Sequence, residues 1–124
     1  MKKFNFLAFV ALWGLFIISC NSSNDSASAE KNKMSVILRD YKRLFNEGID
    51  RFKQAECVDE LVAIRKIYGE KLNDVEERFD DLRMSDKEKW DKILKTEFAD
   101  ESDEVMILEK KFQGIYDKRY RELE

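Results

Sequence analysis

From Met34 to Leu123 the apolar residues recur at steps of three and four, and no proline interrupts them. That spacing lines them up on one stripe of an α-helix, whereas a half-buried strand needs alternation by two. Glycine is nearly as scarce. Past residue 20 the chain has Gly48, Gly69 and Gly114 alone. Forty percent of residues are charged, so the faces opposite the stripes are solvated. The expected fold is all-α: an antiparallel helical bundle of three long helices with coiled-coil-like packing, the third either continuous or broken into two.

The first helix is expected over about residues 33–56. Met34, Ile37, Leu38, Tyr41, Leu44, Phe45, Ile49, Phe52 and Ala55 form its stripe. The second is expected over about residues 58–83, with Leu61, Ile64, Ile67, Tyr68, Leu72, Val75, Phe79 and Leu82. Ser85-Asp86-Lys87-Glu88 has the spacing of a capping box, with Ser85 at the cap and Glu88 three residues on. It sets the start of the third helix near Asp86. Leu94, Phe98, Val105, Leu108, Phe112, Ile115 and Leu123 then favour one helix over about residues 86–121. The acidic run Asp100-Glu101-Ser102-Asp103-Glu104 interrupts that stripe, and Ser102 is the alternative cap for a fourth helix. An unbroken third helix would overhang the other two and leave apolar surface for a partner.

The composition excludes much chemistry. Histidine is absent, which removes Ser-His and Cys-His nucleophilic pairs and His-bearing metal sites. No glycine-rich phosphate loop or calcium-loop pattern occurs. The acids of the 100–104 run are expected to be solvated, not ligands. No catalytic residue, cofactor or metal is therefore expected, and the chain reads as a non-enzyme. Net charge is −3, against the basic balance of a nucleic-acid binder. Residues 31–56 are positive and the later helices negative, which suits their packing together. Cys57 is expected as a half-buried thiol at the turn between the first two helices. Phe112, Tyr116 and Tyr120 recur at steps of four among Lys118, Arg119 and Arg121. They fit either the bundle core or a partner-docking stripe.

The first twenty residues differ from the rest. Met1-Lys2-Lys3 is a short basic start, Phe4 to Ile18 is apolar apart from Asn5, and Ile17-Ile18-Ser19-Cys20 follows. This resembles the signal peptide and lipobox of a bacterial lipoprotein. The resemblance implies cleavage after residue 19 and lipidation of Cys20 by diacylglyceryl and fatty-acyl chains such as palmitate. Two or three such chains hold a protein stably at a bilayer. It further implies a cell-envelope location. Asn21 in place of Asp favours the outer over the inner membrane by the rule known in enteric bacteria. Residues 20–32 are rich in Ser, Asn and Ala and are expected to be a flexible tether, with 33–124 the helical domain. Asp25-Ser26-Ala27 resembles a bacterial O-glycosylation site, with Ser26 the acceptor.

The expected function is that of a membrane-anchored, non-enzymatic interaction or structural module. Its partner would be a second copy or another envelope protein, and not nucleic acid. The alternative is a periplasmic chaperone-like holdase with an apolar cradle and a charged rim. A wall-linked structural lipoprotein is disfavoured, because the chain ends Arg121-Glu122-Leu123-Glu124 and not in lysine.

Overall fold

A computed structural model describes residues 25–124, with side-chain surroundings from residue 29 onward. They form four helices: α1 Asp25–Gln54, α2 Val58–Ser85, α3 Lys87–Thr96 and α4 Ala99–Leu123. The expected signal peptide and Cys20 lie outside the described residues.

All nine positions of the first stripe, from Met34 to Ala55, are buried. α1 is the central element and packs extensively on both α2 and α4, which touch each other less. α2 runs antiparallel to it. Asp40 pairs with Arg78 at 3.0 Å, Tyr41 meets Phe79 edge-on at 6.2 Å, and Glu47 accepts from the Tyr68 hydroxyl at 3.5 Å. α4 runs parallel to α1. Lys42 pairs with Glu104 at 3.1 Å, Phe45 meets Phe112 at 5.3 Å, and Phe52 meets Tyr116 at 5.3 Å. The path is up, down and up again, with α3 as the first piece of the last leg.

The expected count of three helices is corrected to four, and the break falls at Glu97–Phe98, not at Ser102. No glycine or proline marks it. The Ile93 carbonyl accepts from both the Glu97 and Phe98 amides, at 2.8 and 3.2 Å. Thr96 Oγ1 bonds back to the Lys92 carbonyl at 2.8 Å, a contact that bends helices. Phe98, at φ −117° and ψ 25°, needs no special residue. The bend lets α3 bury Trp90 and Leu94 while α4 buries Val105 and Phe112. Ser102, the alternative cap, is buried inside α4.

Other boundaries also shift. α1 begins at Asp25, well before residue 33. Within the stretch expected as tether, Glu30 pairs with Lys89 at 2.7 Å and Lys31 with Glu97 at 3.0 Å. These pairs tie the start of α1 to the two ends of α3. The cap of α3 is Asp86, whose carboxylate accepts from the Lys89 amide at 3.3 Å. Ser85 instead closes α2, with its hydroxyl donating to the Leu82 carbonyl at 2.6 Å. Asp takes the cap as readily as Ser does, so the shift by one residue has little energetic cost. Ile67, placed on the α2 stripe, is exposed, because Ile64 and Tyr68 already cover that turn.

Candidate functional site

The three aromatic residues singled out on α4 stand at the end of the bundle where α1 finishes. Phe112 is enclosed: its ring lies 4.9 Å from Phe52 and 5.3 Å from Phe45, and the Arg65 guanidinium sits over it at 5.2 Å. Tyr116 is half-buried, packed on Phe52 at 5.3 Å and under Arg65 at 5.9 Å. Burial raises its phenol above the ordinary range, and Arg65 partly offsets this. Tyr120 is exposed and touches Tyr116 at 6.1 Å. Phe112 thus packs inside the bundle and offers no surface to a partner. Ser26 lies in the first turn of α1, in a stretch described by its backbone alone.

The end of α1 is closed by α4. Arg119 donates from Nε to the Phe52 carbonyl at 3.2 Å and from its terminal nitrogen to the Ala55 carbonyl. These carbonyls are among those a helix terminus leaves without intrahelical partners. The same guanidinium pairs with Glu122 at 2.9 Å. Cys57 follows this corner and is exposed, not half-buried as expected. As N-cap of α2 its backbone turns outward in extended geometry.

Two close-packed features escaped the sequence reading. A Cβ on Gly48 would lie 2.6 Å from Phe112 Cε2 and 3.4 Å from Tyr68 Cγ. Glycine is what lets α4 seat its most deeply buried ring against α1. Higher in the bundle, the buried Tyr41 hydroxyl is held protonated far above the ordinary phenol range. Burial is the main cause, and Glu76, Asp80 and Glu109 add to it while Arg78 opposes. Glu109 is itself buried on α4, two turns beyond Ser102. This polar layer brings together side chains of α1, α2 and α4. Among the described residues, no group of three or more Cys, Asp or Glu has the arrangement of a metal site. A phenol that keeps its proton here is a hydrogen-bonding group, not a nucleophile.

The surface has two distinct regions. A groove of about 600 Å³ lies between α1 and α2, lined by Val36, Ile37 and Leu82 and rimmed by Glu30, Lys33, Arg78 and Asp81. The second region is the outer face of α4. There Asp100 and Asp103 occupy one half, Lys118 and Arg121 the other, and Ile107 stands between them, 64% exposed. Those four charges make no ion pair with any described residue.

No helix among the described residues is long and apolar enough to cross a membrane. No protein-family model, curated protein or solved structure matches this chain.

Proposed function

We propose that this chain is a lipid-anchored helical module of the bacterial cell envelope, held at the outer membrane through Cys20 and acting by protein contact, without catalysis. The observation that carries the reading is the Ile17-Ile18-Ser19-Cys20 sequence behind a basic start and an apolar run. The chemistry of the helical part agrees with it. Histidine is absent, the buried phenol is kept neutral, and the unpaired charges are on an outer face.

The start of α1 gives the anchor a geometry. Only residues 21–24 separate Cys20 from Asp25. At about 3.5 Å per extended residue, the foot of the bundle stays within roughly 20 Å of the lipid. Intact-mass measurement of the native product tests the reading. The expected mass lacks residues 1–19 and carries fatty-acyl additions that vanish in Cys20→Ala. A product that keeps Met1 and carries no lipid refutes it.

The holdase reading draws on the groove between α1 and α2, whose apolar floor and charged rim suit an unfolded segment. It predicts suppression of client aggregation at modest molar ratio. Truncating Val36 would weaken that suppression.

A further inference from the structure

We infer that a second copy of this chain docks on the outer face of α4, antiparallel and about a two-fold axis. Ile107 of each copy seats on Gly114 of the other, and Asp100 and Asp103 of each face Arg121 and Lys118 of the other. This names the partner within the contact-module reading but does not depend on the lipid.

Three observations converge on this face. Ile107 is the most exposed large apolar residue described, and no described residue covers it. Gly114 lies two turns further along the same face, and a Cβ there would meet nothing within 4 Å. Internal packing therefore gives no reason for glycine, which is the least helix-favouring residue apart from proline. A bare patch of backbone beside a projecting isoleucine is a hole beside a knob. The third observation is the separation of charge. Asp100 and Asp103 lie before Ile107, and Lys118 and Arg121 after Gly114; all four are exposed and without ion-pair partners among the described residues.

One pairing satisfies all three. A two-fold axis passing between Lys110 and Lys111 sets position 107 against 114, 103 against 118 and 100 against 121. Each interaction occurs twice, as a two-fold interface requires. Parallel docking would instead set acid against acid. The centre carries the opposing contribution, because Lys110 of each copy approaches Lys111 of the other. Their long stems leave the charged ends in solvent, beside the isoleucines. The helix macrodipole also favours acids early and bases late in α4. It does not account for the bare Ile107 and Gly114, and those decide the register.

Exposed ion pairs are individually weak and screened by salt, so the dimer is a modest one in dilute solution. Anchoring both copies in one bilayer raises their effective concentration and shifts the balance toward pairing.

The test uses the full chain in lipid vesicles, with equal parts of isotopically light and heavy protein. A carbodiimide joins a carboxylate to an amine in direct contact. The expected result is Asp103–Lys118 cross-links of mixed isotope composition. Asp103→Lys should lower the mixed-link dimer yield about tenfold, and Asp103→Lys with Lys118→Asp should restore the yield of dimer. Lys110→Glu should raise it, by turning the central repulsion into attraction. Gly114→Gln, which the free helix accommodates, should lower it by filling the seat of Ile107. Same-isotope links alone, a strictly monomeric wild type, or a charge swap that fails to restore the dimer would overturn the inference. The lipid state of the same samples, read by intact mass, separates this outcome from the fate of the anchoring proposal.

Discussion

Replacing Gly48 with alanine sets two effects of known sign against each other. Alanine in a helix interior is favoured over glycine by about 1 kcal/mol. The new Cβ, however, would lie 2.6 Å from Phe112 Cε2 and 3.2 Å from Cδ2. Those are ring atoms, not the end of a flexible chain. The ring has no room to retreat, with Phe52 at 4.9 Å, Phe45 at 5.3 Å and the Arg65 guanidinium at 5.2 Å. Overpacking a core costs about 1–3 kcal/mol, and here the upper part of that range applies. The expected net is a loss of about 1–2 kcal/mol, or about 4–16 °C in melting temperature for a domain near 100 residues. Thermal unfolding of the chain lacking residues 1–19, followed by circular dichroism, measures it. In a Phe112→Leu background the blocking ring atoms are gone, so Gly48→Ala should stabilise. That sign reversal is the decisive readout. If Gly48→Ala alone raises the melting temperature as much as Gly114→Ala, which meets no obstacle, then Phe112 does not seat on Gly48.

Other expectations follow from the same contacts. Asp91→Ala should cost about 1.5–3 kcal/mol by urea unfolding, because it removes the carboxylate whose Oδ1 lies 2.8 Å from Nε of the buried Arg83. Replacing both with apolar residues should recover most of that loss, and a double change no better than the single would refute the pairing. Arg119→Ala should cost about 1–2 kcal/mol by exposing the carbonyls of Phe52 and Ala55, and Arg119→Lys should not restore two-site capping. Tyr41 keeps its proton in the folded chain, while an unfolded chain releases it from about pH 10. Its contribution is therefore fully present below that pH and is lost as pH rises further. Urea midpoints between about pH 9 and 11 should fall with pH, and Tyr41→Phe should flatten the fall; an unchanged slope would remove Tyr41 as its cause.

Much of the fold was legible because stripe positions report directly on burial. The nine residues assigned to the face of the first helix are all in the core. What escaped were features that depend on where two helices meet. Gly48 reads as an interior weakness until α4 places Phe112 over it. Ser102, the alternative helix cap, and Glu109 are polar, yet they occupy the buried face between Phe98, Val105 and Phe112. The break at Glu97–Phe98 had no sequence signal, since ordinary residues accommodate its dihedral angles. It is selected by the separate burial of Trp90 above and Phe112 below. On the outer face of α4, the signal was the sorting of charge by sign around an isoleucine. Counting acids and bases over the whole segment averaged it away.

Since α2 doubles back and α4 runs alongside α1, the corner at Cys57 stands at the opposite pole from the foot of α1, about 45 Å away along a 30-residue helix. If acyl groups block Cys20, as the proposed anchoring requires, the thiol at that corner is a native address label for the far pole. A membrane-impermeant maleimide added to intact cells would tag it where that pole looks outward and pass it by where it looks into the periplasm.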